Sequence, residues 1–213
     1  MSDDGSAELA TVHSEIIGCT KCELHKSRKN AVPGEGPTAA KVMFVGEGPG
    51  QNEDEQGRPF VGAAGKLLTE LLGSIGLSRS DVFITNIVKC RPPNNRAPGK
   101  SEIDACNPYL ISQIRLIKPQ IVCALGSPAI ATLLGEEHSA TRVHGKPQVK
   151  ENVTILPMYH PAAALYDASL KEVLASDFMI LKELLEAKAT LDKPVKDNDH
   201  DHAQGRQTLE KWV

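Results

Sequence analysis

Two hydrophobic periods run through the chain. Leu9, Val12, Ile16 and Ile17 recur at helical spacing, so residues 7–17 predict a short helix that Gly18 ends. Residues 41–46 (KVMFVG) form a short apolar run closed by glycine, the pattern of a buried strand. Leu67, Leu68, Leu71, Leu72 and Ile75 predict an amphipathic helix over 63–76. Residues 81–88 (DVFITNIV) read as a second strand, 120–125 as a third that again ends in Gly126, and 153–156 as a fourth. Between them, Ser101 to Asp104 reads as a capping box opening a helix with Ile103, Cys106, Leu110, Ile114 and Ile117 on one face. Pro108 within it predicts a kink or break. Residues 128–134 predict a further helix. A second capping box, Ser169 to Glu172, opens a long one through Leu170, Leu174, Phe178, Leu181 and Leu185.

Strands that are apolar throughout and alternate with helices predict an α/β fold with a mostly parallel sheet covered on both faces. Chemistry in such folds gathers at the carboxyl ends of the strands. The unusual loops of this sequence, 46–62, 86–100, 126–128 and 157–161, all fall there. No internal repeat is present. Residues 190–205 are polar and aperiodic, which divides the chain into a domain over 1–189 and a flexible tail over 190–213.

Composition changes the picture in two places. The apolar runs are too short to cross a bilayer, and the acidic start Met1-Ser2-Asp3-Asp4 has no apolar stretch of a secretory signal. A cytoplasmic, reducing setting follows, in which the five cysteines point to metal or catalysis rather than disulfides. The net charge of −3 at first argues against a nucleic-acid partner. Its distribution reverses that reading. Of 24 Lys and Arg and 27 Asp and Glu, four bases and nine acids lie in residues 1–18 and 191–213, leaving a body of charge +2. Lys89, Arg91, Arg96 and Lys100 fall within twelve residues that contain no acid, a candidate phosphate-contacting loop, although charge runs are commonly just solvated.

Four cysteines remain after Cys123, which lies inside the third strand and reads as a small core hydrophobe. Cys19 and Cys22 form a C-x2-C pair, while Cys90 and Cys106 flank the loop after the second strand. A tetrad of thiolates suits zinc or an iron–sulfur cluster. The spacing matches neither a zinc ribbon nor the ferredoxin run, and leaves the metal open.

The strand-end loops supply the other candidates. Gly46-Glu-Gly-Pro-Gly50 lacks the Lys-Ser/Thr of a P-loop and the spacing of a dinucleotide fingerprint, but brings backbone N–H groups close to a planar ligand. Glu47 sits in it, with Glu53, Asp54 and Glu55 beyond. Phe60, one of eight aromatics, is either core or a stacking platform. Asn86 offers a donor and an acceptor that match one edge of a nucleobase. His160 follows the fourth strand. An acid, an aromatic, an amide and an imidazole at four strand ends describe a pocket for a planar, hydrogen-bonding ring.

The segments Gly46–Asp54 (GEGPGQNED), Gly57–Gly62 (GRPFVG), Ile84–Arg96 (ITNIVKCRPPNNR) and Met158–Pro161 (MYHP) resemble the family 4 uracil-DNA glycosylases, the iron–sulfur members of their superfamily, over about residues 8–187. The resemblance implies a three-layer α/β/α fold with a central four-stranded parallel sheet. It implies a [4Fe–4S] cluster on Cys19, Cys22, Cys90 and Cys106, and uracil-containing DNA as the partner of a nucleoid-associated monomer. Phe60 would stack on a flipped uracil, Asn86 would read its Watson–Crick edge, and His160 would bond its O2 side. The backbone at Gly48 would line the pocket, and Glu47 with Glu53 would position or activate water. Lys89, Arg91, Arg96 and Lys100 would meet the DNA backbone.

Two departures bear on the chemistry. The related uracil glycosylases with a catalytic Asp in the glycine-rich loop carry it where this chain has Gly48. A Lys-Arg-Arg-Ile-His insertion of a covalently trapping relative is absent after Arg96, so turnover is expected. Near the C-terminus, Leu209 and Trp212 resemble a degenerate sliding-clamp-binding peptide, or else dock on the chain's own domain. An iron–sulfur electron carrier would account for the cysteines, but not for the strand-end loops.

Overall fold

The computed structural model describes residues 4–191. The tail residues 192–213, with Leu209 and Trp212, lie outside them. Five strands form one sheet in the order β2-β1-β3-β5-β4: β1 (Val42–Gly46), β2 (Phe83–Asn86), β3 (Ile121–Leu125), β4 (Gln148–Lys150) and β5 (Val153–Met158). The first, second, third and fifth run parallel, as expected. The short β4 adds an antiparallel edge through Val149↔Thr154. The sequence reading placed four strands and missed β4, whose exposed Gln-Val-Lys carries no apolar run.

Alternation within each strand sorts the core into two layers. Val42 and Phe44 of β1 join Leu156 against α3 (Ala63–Ser74) and α8 (Ser169–Leu191), while Met43 and Val45 face α1 (Asp4–Ile17), α4 (Lys100–Ile117) and α5 (Ser127–Leu134). Phe44 stacks on Phe178 of α8 at 5.7 Å between ring centroids. Cys123 is fully buried in the α3–α8 layer, as its strand position predicts. Two-turn α2 (Gln51–Gln56) and the single turns α6 (Ala140–Val143) and α7 (Ala163–Tyr166) complete the helices described. Among the described residues, no helix is long and apolar enough to cross a membrane.

Helix ends depart from the sequence reading for local reasons. α4 begins at Lys100 because the Glu102 carboxylate accepts the Gly99 N–H at 2.7 Å, which sets the cap two residues earlier than Ser101. It runs unbroken past Pro108 to Ile117. The cap of α8 is Asp167, not Ser169: Asp167 Oδ1 accepts the Ser169 N–H at 3.0 Å and its hydroxyl at 2.6 Å. α8 continues to Leu191, two residues beyond the expected domain end. The acids 53–55, expected within the loop 46–62, lie in α2. There Asp54 is buried and accepts the N–H groups of Lys29 and Asn30 at 2.9 and 3.3 Å.

Candidate active site and cysteine cavity

The carboxyl ends of β2, β1, β3 and β5 stand side by side, and each delivers one part of a cleft. Gly46 ends β1 in register with Asn86 of β2. The pairing continues outward through Ile87 N–H to Gly46 O (2.9 Å) and Val88 N–H to Glu47 O (3.2 Å), which holds the two loops together. A Cβ on Gly46 would fall 2.5 Å from Asn86 Oδ1 and 2.7 Å from Phe60 Cζ, so only glycine lets those two side chains meet there. Asn86 is 1% exposed, and its Oδ1 is buried with no hydrogen-bond partner among the described residues. An orphaned buried acceptor is costly, and marks a place where a ligand donor belongs.

Phe60 is buried with its backbone at φ +51°, a left-handed conformation that a bulky residue adopts only when held. Arg79 holds it, donating to the carbonyls of Phe60 (3.0 Å) and Pro59 (2.8 Å) while ion-paired to Glu35. The ring faces that of His160 at 5.4 Å and 27°. His160 in turn rests on the turn after β3, where a Cβ on Gly126 would be 3.1 Å from His160 Cβ. The Ala162 N–H donates to His160 Nδ1 at 3.1 Å, so the neutral ring carries its proton on Nε2. Burial lowers the His160 pKa to about 4, against the opposing pull of the Glu53 carboxylate. The imidazole is therefore a neutral donor at physiological pH.

Glu47, Gly48, Gly50, Arg96 and His160 line one cavity of about 250 Å³ over this cleft. Burial raises the Glu47 pKa and makes its carboxylate a stronger base. A Cβ on Gly48 would lie 2.9 Å from Val88 Cγ2, so the position that is Asp in related enzymes has no room for a side chain without movement of Val88. Glu53 departs from expectation. Its Oε1 accepts the N–H groups of Val61 and Gly62 (2.8 and 2.9 Å) and its Oε2 that of Gly50 (3.1 Å). These bonds make it a clamp between the glycine-rich loop and the Phe60 loop.

The basic loop also differs from the sequence reading. Lys89 is 1% exposed and points inward, so it does not reach a DNA backbone. Arg96 is paired with Glu102 through two bonds of 2.7 and 2.8 Å, and Lys100 with Glu136 at 3.3 Å. Arg91 bonds the neutral Asn95. The acids that compensate Arg96 and Lys100 lie beyond the loop itself, which a count within twelve residues overlooks.

Cys19, Cys22, Cys90 and Cys106 line one small cavity of about 10 Å³ between α1, α4 and the loop after β2. All are free thiols. Three receive N–H donors on sulfur: Arg28 Nη1 to Cys90 at 3.0 Å, Lys89 N to Cys106 at 3.3 Å and Lys21 N to Cys19 at 3.5 Å. Among the described residues no group of three or more His, Cys, Asp or Glu forms a ready-made site for a metal ion. The cavity instead brings four soft donors around one space, three of them already receiving N–H groups on sulfur.

The uracil DNA glycosylase superfamily model matches residues 33–180. A type-4 uracil-DNA glycosylase of Sulfurisphaera tokodaii is 52% identical over 83% of this chain and 84% of its own length. One of Thermotoga maritima is 44% identical over 84% and 95%. A type-5 uracil-DNA glycosylase of Pyrobaculum aerophilum is 34% identical over 73% and 87%.

Proposed function

The chain belongs to the uracil DNA glycosylase superfamily and is a uracil-DNA glycosylase; from that premise we propose how its own residues excise the base. Uracil in a duplex must be flipped out, at a cost of a few kcal/mol that is lower at a mismatch. Arg91, free of acids in its own bonding, contacts the DNA backbone that offsets this cost, with Arg96 and Lys100 beside it. The flipped ring enters by the cavity lined by Gly48 and His160 and stacks on Phe60, which lies behind it against His160. Asn86 Oδ1 accepts N3–H and its amide donates to O4, a match that cytosine lacks. The unpartnered Oδ1 is the observation that carries this reading.

Cleavage of the N-glycosidic bond leaves a cationic sugar and an anionic uracil. His160, neutral with its proton on Nε2, donates to the O2 that gains charge. Such a donor contributes about 2.7–4 kcal/mol to the transition state. Glu47, at the same cavity and of raised basicity, holds the water that attacks the sugar carbon. Glu53 fixes the loops that carry Glu47 and Phe60.

Cys19, Cys22, Cys90 and Cys106 would hold a [4Fe–4S] cluster, supported by four soft donors around one cavity with N–H groups aimed at sulfur. When bound, the cluster supplies a covalent tie between the N-terminal helix and the loop after β2. For the C-terminal segment, the proposed partner is a sliding clamp engaged through Leu209 and Trp212. Equal clamp recovery with and without residues 204–213 would end that idea. Incubation of the protein with a uracil-containing oligonucleotide, then alkali, tests the main reading: strand cleavage at the uracil is expected, and an intact strand overturns it.

A further inference from the structure

We propose that Lys89 is a positioning residue for base excision: its buried ammonium pins the strand end that carries Asn86 and ties it to the wall of the four-cysteine cavity. The inference rests on Asn86 as the base-reading side chain.

Lys89 Nζ donates to Thr85 Oγ1 (2.6 Å), Asn86 O (2.8 Å) and Gln113 Oε1 (2.7 Å). Each partner is an acceptor toward Lys89. The Thr85 hydroxyl gives its own proton to Pro33 O at 2.9 Å, and Gln113 Nε2 donates to the same carbonyl at 2.7 Å, which turns Oε1 toward Nζ. Three acceptors require three N–H donors, which an ammonium has and a neutral amine lacks.

None of the three partners carries a negative charge, and a buried cation held by neutral dipoles is costly to keep. What it holds is specific. One bond fixes the carbonyl of Asn86 itself, the residue whose side-chain Oδ1 waits unpartnered in the cleft. The backbone N–H of Lys89 meets Cys106 Sγ at 3.3 Å, its carbonyl accepts the Val32 N–H at 2.7 Å, and Lys89 borders the cysteine cavity. Lys89 is thus the one side chain among the described residues seen to bond Asn86 and border the cysteines together. A reading group must be held to a fraction of an ångström, and this cage does so from behind.

The test is a double-mutant cycle on the cluster-loaded protein with Lys89→Met, Asn86→Ala and the pair. Single-turnover excision of uracil, iron content, and affinity for undamaged duplex against salt are measured. The expected result for Lys89→Met is retained iron, an unchanged salt slope and excision slowed at least about tenfold. The pair should be no slower than Asn86→Ala alone, since positioning acts only through the residue positioned. Additive losses, or a salt slope reduced by about one, would overturn the proposal. If Lys89→Met does not load with iron, Thr85→Val removes one acceptor at nearly constant shape, and the same non-additivity with Asn86→Ala is required of it. Should Asn86→Ala itself excise uracil normally, the reading of Asn86 falls and takes the proposal with it. Normal loss in Asn86→Ala with an additive cycle removes only the role of Lys89.

Discussion

Gly65 passes so close to Phe60 that a Cβ on it would lie 1.7 Å from the Phe60 carbonyl oxygen. The first turn of α3 therefore serves as the seat of the proposed stacking ring. Gly65→Ala must push back the Phe60 backbone, which Arg79 and a left-handed φ already hold. Overpacking of this severity should cost about 3 kcal/mol or more. Thermal unfolding should show a fall in Tm of several degrees, and the fraction that stays folded should bind uracil DNA poorly. An unchanged Tm would mean that α3 slides without strain.

The glycine at the end of β1 separates site geometry from stability. Gly46→Ala places a methyl group against Asn86 Oδ1 and the Phe60 ring, where uracil would be read. Excision should fall at least about 10²-fold, a loss of the size seen when one transition-state donor is removed. Asn86→Asp replaces the amide donor with an acceptor and should likewise lose preference for uracil. Full retention of that preference would contradict the role given to Asn86.

The tautomer of His160 fixes the pH behaviour. Its folded pKa is lowered to about 4 from 6.5. Between these values the unfolded chain binds a proton that the folded chain refuses. This group's contribution to stability is thus complete above pH 6.5 and is lost as pH falls toward 4. Single-turnover excision should be flat with respect to this residue from pH 8 down to about 5, then fall as the ring protonates. A rate that climbs on acidification through pH 6.5, and does so only when His160 is present, would instead assign the work to the imidazolium.

Charge pairing predicts unequal roles in the basic loop. Arg91 bonds only the neutral Asn95 among the contacts described, whereas Arg96 is engaged by the buried carboxylate of Glu102. Arg91→Ala should weaken DNA binding about equally for all sequences and lower the salt slope by about one. Arg96→Ala should move the slope less, and should loosen the start of α4 by freeing Glu102 from its partner. Equal slopes for the two variants would show that the ion pair opens on DNA.

The sequence displayed the parallel strands, the two helical layers and the strand-end position of Glu47, Asn86 and His160, because apolar periodicity and glycine punctuation are local signals. It did not display Lys89, since a lysine in a Pro- and Asn-rich stretch looks solvated until Thr85 and Gln113, from separate elements, close over it. Glu53 was named from its motif, but its clamp role was hidden: the amides it accepts lie eight and nine residues downstream, beyond any helical or strand period. The edge strand β4 has no apolar pattern to show, and the Asp167 cap of α8 precedes a stronger-looking Ser-x-x-Glu.

The cysteine cavity yields the last prediction. Arg28 bridges its two sides, with Nη1 on Cys90 Sγ at 3.0 Å and Nη2 on Ile17 O at 2.7 Å, so one guanidinium joins the end of α1 to the loop after β2. Cys90→Ser removes a thiolate and should lose the iron and its visible absorbance. The loop that carries Arg91 should then come loose and DNA affinity should drop, because ligand binding and folding of such a site are one event. Arg28→Met leaves all four sulfurs in place. It should load iron but release it faster to a chelator, with a lower Tm and excision near normal while the iron remains. Normal DNA affinity in iron-free Cys90→Ser would separate the cysteines from the binding loop and assign them a role other than structural.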